Sequence, residues 1–291
     1  MKLLSVLGAL HLDVVVSTPF LPKADETVFG SEVKYLFGGK GGNQAIAAQL
    51  NGAKVYFIGR VGGDRFAEKL INTLRNSSVE ISQLQSDSGA SGMSVAIVEQ
   101  SGEYTAAVVS GANLNIDERS IKILKGTGIL LLQNEVQASV NLIAARQAKR
   151  KGAKIWLNAA PARELDSKLI SQIDVLILNR VEAKFYSNLI SSPETEHITK
   201  ILTLGAKGVE LHRPDQPSRS YPAYAVKPLS THGAGDMFVG ALASSRLNGS
   251  SFEKAIHYAQ AAAALHVSRK VEMRNQISRT DVLNFIRRHK V

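Results

Sequence analysis

The segment Thr231-His232-Gly233-Ala234-Gly235-Asp236-Met237-Phe238 joins small residues to a carboxylate and is followed by an apolar helical pattern through Arg246. Small residues just before a helix leave backbone N–H groups uncovered and aim them, with the positive end of the helix dipole, at an anion. An aspartate in the first helical turn is placed to accept a proton from a substrate hydroxyl while those amides balance charge on a transferred phosphoryl group. The same residues also suit a plain glycine turn with Asp236 as the helix cap. A second cluster, Gly38-Gly39-Lys40-Gly41-Gly42-Asn43-Gln44, precedes another helix and is too rich in glycine for an ordinary turn. Close approach of a ligand to the backbone explains it, with Asn43 offering donors and acceptors to hydroxyl groups; a flexible hinge is the competing explanation. Neither cluster has the Gly-Lys-Ser/Thr ending of a Walker A loop or the Gly-x-Gly-x-x-Gly dinucleotide pattern. Three shorter pieces complete the set: residues 8–13, Asn179-Arg180-Val181-Glu182, and Thr203-Leu204-Gly205-Ala206-Lys207-Gly208. Each follows an apolar run, and taken singly each reads equally as a cap or turn.

Short β-branched or apolar runs at residues 3–7, 55–58, 129–132, 154–157, 175–178 and 201–204 are the elements that must hold these groups. Helical stretches at 43–51, 66–75 and 140–151 lie between several of them, with Gly52 and Gly152 where left-handed C-terminal caps belong. Alternation of this kind predicts an α/β fold with a largely parallel sheet covered on both faces, whose strand ends converge on one crevice. Residues 28–37, 94–98 and 104–109 break the alternation and read as extended strands, the last two at hairpin spacing with Gly102 in the turn. They predict a small antiparallel lid, from segments about 12–38 and 91–110, over the carboxyl ends of the sheet. Ser250-Ser251-Phe252-Glu253 fits a capping box opening an alanine-rich helix to about Ser268. Without a linker or internal repeat, residues 1–291 read as a single domain.

Composition narrows the partners. The 291 residues carry a formal charge of +10, 44% hydrophobic residues and no cysteine, which excludes disulfides, thiolate metal sites and a cysteine nucleophile. Basic residues concentrate only near the C-terminus (Arg269, Lys270, Arg274, Arg279, Arg287, Arg288, Lys290) without interleaved aromatics, so a solvated helix face is expected there rather than a nucleic-acid surface. A nucleotide cofactor accounts for the positive charge. No apolar run reaches membrane-spanning length and the N-terminus reads as a buried strand, so the chain is expected to be cytoplasmic, with no membrane partner.

Taken together, the two glycine clusters and the strand-end pieces resemble the ribokinase family of sugar and nucleoside kinases, from Gly8 to about residue 268. Residues 37–45 are similar to the family's first signature and residues 231–238 to its second; Asn158-Ala159-Ala160-Pro161-Ala162-Arg163-Glu164-Leu165 looks like a stretch found in the ribokinases of that family. The resemblance implies a three-layer α/β/α fold with a β lid, and ATP-dependent phosphorylation of a primary hydroxyl on a pentose-like sugar, D-ribose to ribose 5-phosphate foremost. Deoxyribose, another sugar or a nucleoside are the alternatives; a non-catalytic sugar- or nucleotide-binding protein on the same scaffold is the reading from another class, against which the intact Gly235-Asp236 pair speaks. By the same resemblance Asp236 is the base and Gly233, Ala234 and Gly235 line the anion hole. His11, Asp13, Gly39, Lys40, Gly41, Gly42, Asn43 and Glu135 then hold the sugar, while Asn179, Glu182, Thr203, Leu204, Gly205, Ala206, Lys207, Gly208 and Gln260 face ATP. Glu182 would organise Mg2+ through water, the ion being carried mainly by the nucleotide. The family's habit also implies a homodimer formed through the lid.

Three departures from the family pattern stand out. His11 occupies the position of an asparagine that contacts ribose in ribokinases, which puts the sugar's identity in question; a surface or core histidine is the plainer account. Ser230 stands where an aspartate commonly helps bind potassium, and Ser268-Arg269-Lys270-Val271-Glu272-Met273-Arg274 lacks the cation loop's glycine, with Glu272 or Arg274 placed to intrude. Weak or absent potassium activation is therefore expected. Residues 185–198 are shorter than the family's usual segment, which implies a lost peripheral helix.

Overall fold

The computed structural model describes residues 2–99, 101, 103–270, 273 and 276–289. In chain order its elements are β1 (Leu3–Leu7), β2 (His11–Thr18), β3 (Glu32–Gly38), α1 (Lys40–Leu50), β4 (Val55–Val61), α2 (Arg65–Asn76), β5 (Glu80–Ser86), β6 (Gly92–Glu99) and β7 (Tyr104–Val109). There follow β8 (Thr127–Gln133), α3 (Ala138–Arg150), β9 (Lys154–Asn158), α4 (Ser167–Ile170), β10 (Val175–Asn179), α5 (Arg180–Phe185), α6 (Ser187–Ile190) and β11 (Thr199–Thr203). The chain continues through β12 (Val209–His212), β13 (Arg219–Tyr221), α7 (Ala234–Leu247), α8 (Phe252–Val267) and α9 (Arg279–Arg288).

The main sheet has the order β13-β12-β11-β10-β9-β8-β1-β4-β5 among the described residues. It is parallel from β11 to β5; β12 and β13 extend one edge antiparallel. Apolar residues of alternate parity on each strand face opposite sides. Leu4 and Val6 join a core with α1, α7 and α8, while Leu7, Leu130 and Leu132 join another with α3 and the short helices beyond β9. Helices therefore cover both faces, as the alternation requires. The chain winds outward from β1 in both directions, to β4 on one side and β8 on the other, so the strand order reverses at β1, where open α/β sheets bind ligands.

A four-stranded lid, β3-β2-β6-β7, grows directly from β1 through the turn at 8–10. Its β2–β3 and β6–β7 pairs are antiparallel, but β2 and β6 run parallel, so the lid is not wholly antiparallel as expected from sequence. Gly102 lies outside the described residues; Glu99 N–H donates to Glu103 O at 3.0 Å across that turn.

Several boundaries differ from the expectation. Helix α1 begins at Lys40, inside the glycine cluster rather than at residue 43. A Cβ on Gly41 would sit 2.7 Å from Gly8 Cα, and one on Gly42 2.5 Å from the Phe37 ring. Gly41 and Gly42 thus let α1 press onto β1 and the lid. Helix α8 is capped by Ser251, whose hydroxyl accepts from Lys254 N–H at 3.3 Å, and not by Ser250. Arg287 and Arg288 extend from α9, whose buried residues are Val282 and Phe285, which fits a solvated basic face. Arg274 and Lys290 lie outside the described residues, as do Val271 and Glu272 of the supposed cation loop. Residues 185–198 hold only the four-residue α6 and a single 3-10 turn.

Candidate active site

Five parallel strands end along one edge: Gly8 follows β1, and polar residues close the others, Gln133 on β8 with Asn134 and Glu135 after it, Asn158 on β9, Asn179 on β10 and Thr203 on β11. Helix α7 starts in front of them. Gly233 supplies the left-handed residue at its N-terminus (φ 74°), a conformation glycine adopts without strain. No side chain caps this end, and a helix start has amides without intrahelical partners. Of the three small residues read as an anion hole, Ala234 does not bring a free amide, since its N–H turns back to Thr231 O at 3.2 Å. A Cβ on Gly235 would meet nothing within 4 Å, so that residue is open to the cavity in front of it.

Asp236 lies one turn before Gly240, where a Cβ would be 2.6 Å from Gln44 O and Ala47 Cβ. The bare glycine lets α1 and α7 touch, and this contact brings α1 side chains to the carboxylate. Gln44 Nε2 donates to Asp236 Oδ1 at 2.9 Å, and Asn43 Nδ2 to Oδ2 at 3.4 Å. Asp236 therefore sits at the third helical position and accepts from side chains of another helix, rather than capping its own. Burial pushes its carboxyl above the ordinary range, against the pull of Lys40 and the two amides.

A cavity of about 270 Å³ in front of Asp236 is lined by Lys40, Asn158, Asn179, Glu182, Thr203 and Gly235, with others. From sequence Lys40 is expected among the sugar ligands; its side chain instead lines this cavity with the residues assigned to the nucleotide. Burial pulls the ammonium's pKa down, but Asp236, Glu135 and Glu182 outweigh it and the pKa ends above its usual value. Asn179 and Glu182 form a reciprocal capping box: Asn179 N and Nδ2 each donate to a Glu182 oxygen at 2.7 Å, and Asn179 Oδ1 accepts from Val181 and Glu182 N–H. Glu182 is buried, and burial raises its pKa.

Beyond Thr203 and Gly235 opens an apolar slot of about 470 Å³, walled by Val209, Ala223, Val226, Phe238, Ala263 and Val267 among others. Gly205, Ala206, Gly208 and Gln260, expected from sequence at the nucleotide, line it. Leu204 and Lys207 do not: the Leu204 N–H closes the turn onto Gly208 O at 2.8 Å, and Lys207 is exposed. On the other side of Asp236 a cleft of about 360 Å³ runs under the lid between Phe37, Asn43, Ile46, His232 and Met237. Asp236, with His232 and Gly233, lines both this cleft and the 270 Å³ cavity, so the carboxylate stands in a wall the two share; of the other sugar candidates Asn43 lines the cleft, while His11, Asp13, Gly39 and Glu135 line neither.

The remaining sugar candidates gather where the lid leaves β1. Asp13 accepts from Ser94 Oγ at 2.5 Å across the β2–β6 pair. Glu135 Oε2 accepts the Lys40 backbone N–H at 2.7 Å, anchoring the start of α1. Burial raises the Glu135 pKa to about 7, with Lys40 opposing it. His11 is 5% exposed with Nε2 buried and without a hydrogen-bond partner, which rules out a surface histidine. Burial lowers its pKa, more than Asp13 raises it, so at neutral pH the ring is uncharged and offers one donor and one acceptor. Gly39 (φ 89°) brings its backbone against Ala9 O, where a Cβ would come within 2.5 Å. Gln44, Gln133 and Asn158 have no role from sequence. Asn158 and Gln133 carry the same signal as Asn179, a polar residue at a strand's carboxyl end, and were legible on that ground.

A family model described as "pfkB family carbohydrate kinase" matches residues 1–275. The ribokinase of Haemophilus influenzae is 33% identical over 302 residues, covering 98% of both chains. Mouse ribokinase is 32% identical over 82% of this chain and 80% of its own. Among solved structures, Arabidopsis thaliana ribokinase complexed with ribose and ATP superimposes with a TM-score of 0.90 at 26% identity over 98% of each chain.

Proposed function

The chain belongs to the pfkB family of carbohydrate kinases, and from that premise we propose that it transfers the γ-phosphoryl of ATP to the primary hydroxyl of ribose with Asp236 as the general base. It is an ATP-dependent carbohydrate kinase. The observation that carries the mechanism is the position of Asp236, held by Gln44 and Asn43 in the wall shared by two chambers.

Ribose enters under the lid, where Asp13, Asn43, Glu135 and His11 meet its hydroxyls, with Gly39 and the neighbouring backbone closing against it. Carboxylates and amides suit polyols because each presents two hydrogen-bonding atoms at the spacing of adjacent hydroxyls. ATP lies with its base in the apolar slot and its phosphates in the 270 Å³ cavity, against the start of α7. Asp236 takes the hydroxyl proton as the sugar oxygen bonds to the γ-phosphorus and the bond to the β,γ-bridging oxygen breaks, leaving ADP. The Gly235 amide, the helix dipole and the Lys40 ammonium face the charge on the transferred group.

Among the described residues no cluster of three or more His, Cys, Asp or Glu could hold a metal ion by itself. One buried carboxylate beside the phosphate cavity fits Mg2+, which keeps most of its waters and binds largely through nucleotide oxygens. Glu182 would hold it through water, and bound there it would neutralise phosphate charge. We assign the protein to the cytoplasm, where ATP is supplied.

Potassium activation is not expected. Ser230 offers a neutral hydroxyl, which accepts the His232 N–H at 3.3 Å, where a cation would gain from a carboxylate. Turnover measured with potassium replaced by a large organic cation should be unchanged; its collapse would contradict this. A homodimer through the lid is supported by the exposed Val33, Tyr35, Val95 and Val109, which the strand register puts on one face. Sedimentation equilibrium should give twice the chain mass, and Val33→Asp with Val95→Asp should give monomers; a monomeric wild type would end the proposal.

ADP release across ribose, 2-deoxyribose, other pentoses and nucleosides tests the acceptor. Ribose should have the highest kcat/KM. Preference for 2-deoxyribose or a nucleoside would assign His11 to a different hydroxyl pattern, and no sugar-dependent ADP release would remove the catalytic reading.

A further inference from the structure

Two glutamines lie behind the base with no exposed surface: Gln44 on α1 and Gln133 at the end of β8. Gln133 Nε2 donates to Gln44 Oε1 at 2.8 Å. Gln44 Nε2 donates in turn to Asp236 Oδ1 at 2.9 Å and to Asn158 Oδ1 at 2.8 Å. Gln133 is fixed by its setting: Asn141 Nδ2 donates to its backbone carbonyl at 2.8 Å, and a Cβ on Gly8 would fall 2.1 Å from its Oε1. We infer that Gln133 and Gln44 form a positioning relay that points a fixed amide donor at Asp236 Oδ1 and leaves Oδ2 to receive the acceptor's proton. This inference rests on the reading of Asp236 as the base.

The direction of the Gln44 amide follows from donor and acceptor counts, while Gln133 Oε1 is buried without a hydrogen-bond partner. An ionised carboxylate only accepts, so the NH2 of Gln44 must face Asp236, and its carbonyl must then face away. A carbonyl buried there needs a donor, and Gln133 supplies one. Were the Gln44 amide reversed, its oxygen would stand against Asp236 Oδ1 and Asn158 Oδ1, and its NH2 against that of Gln133. Three contacts would turn repulsive among side chains with no exposed surface. Gln133 therefore acts on the base through Gln44 without touching it. The two carboxylate oxygens are left unequal: Oδ1 takes the short bond, while Oδ2 has only the 3.4 Å contact from Asn43, itself a candidate sugar ligand. The oxygen with the longer, more easily exchanged contact is the one turned to the substrate.

The relay is a positioning device, so its test must read more than folding. The charged or titratable groups around Asp236 are Lys40 on α1, His232 before α7, Glu135 after β8 and Glu182 on α5. All remain in the variants below, so a shift in Gln133→Met reports the relay, whereas Gln133→Glu also adds a carboxylate whose own charge raises the Asp236 pKa. Gln133→Met removes the donor, and Gln133→Glu keeps the shape while placing an acceptor where the donor stood. Both should move the acid limb of kcat against pH upward by roughly half to one pH unit, because Asp236 loses an oriented donor. In the Gln44→Met background, which cuts the relay at its last member, Gln133→Met should add no further shift, since residues that act through one another are non-additive. Thermal melting serves as the folding control, and Gln133→Leu, also neutral and without a donor, serves if Gln133→Met folds poorly. The inference is overturned if both Gln133 variants keep the wild-type acid limb while only melting temperature changes, or if the Gln44 and Gln133 shifts add. Were Asp236→Asn itself to stay active, the base assignment would fall instead, so the two failures are distinguishable.

Discussion

Asp236→Asn lowers kcat for sugar phosphorylation by about 10²–10⁴-fold, the range general-base catalysis commonly supplies, and leaves nucleotide affinity nearly unchanged. Asparagine keeps the shape and can still accept from Gln44 Nε2 through its own carbonyl, but it cannot take the hydroxyl proton. The apolar slot and the Gly235 amide are untouched by the change. Folding should not suffer. The Asp236 pKa is raised on folding by burial, so above its unfolded pKa the ionised side chain weighs against the folded state. A neutral amide is therefore expected to hold or raise the melting temperature at neutral pH. Steady-state kinetics, calorimetric titration with a non-hydrolysable ATP analogue and a melting curve together check the prediction. Loss of nucleotide binding along with turnover would instead mark Asp236 as a structural group.

Lys40→Met has the second largest expected effect. Lys40 lines the 270 Å³ cavity proposed for the phosphates, and its charge acts on three carboxylates, Asp236, Glu135 and Glu182. Removing it withdraws a preorganised positive charge from the transferred phosphoryl group, for which a loss of about 10²–10³ in kcat is the usual scale. It also leaves the carboxylates to repel one another. Glu135, already raised to about 7 by burial, rises further once Lys40 no longer opposes the shift. The sign is definite: a higher pKa leaves more Glu135 protonated at neutral pH, so a sugar ligand loses acceptor strength. The kcat/KM for ribose, which reports groups of the free enzyme, should therefore show its acid limb displaced upward when followed from about pH 6 to 9. An unshifted limb with reduced kcat would confine Lys40 to the phosphates.

Much of this architecture was legible because the parallel strands are buried on both faces and read as uninterrupted apolar runs; those at 3–7, 154–157 and 175–178 are off by at most one residue. Strands with a wet face were harder. Strand β5, Glu-Ile-Ser-Gln-Leu-Gln-Ser, lies at a sheet edge where only alternate residues need be apolar, and β13 has three residues, too few for any period to register. The antiparallel β12 and β13 follow a glycine turn that looks like the start of another crossover. For the site, glycine density was visible but its reason was not. Gly41 and Gly42 are bare because Gly8 and Leu10, more than thirty residues earlier in the chain, press on them. Asp236 stood out through its small neighbours. Gln44 and Gln133 did not, because a glutamine's role is set by which buried groups meet its two ends, and that only the folded chain decides.

Phosphorus NMR of the purified protein with Mg-ATP and ribose tests the central claim most directly. The account predicts a new phosphate monoester resonance, split by the two protons on C5 of the sugar, growing as ADP appears and failing to grow with Asp236→Asn. ATP consumption without that ester, or an undiminished rate in the variant, would contradict it.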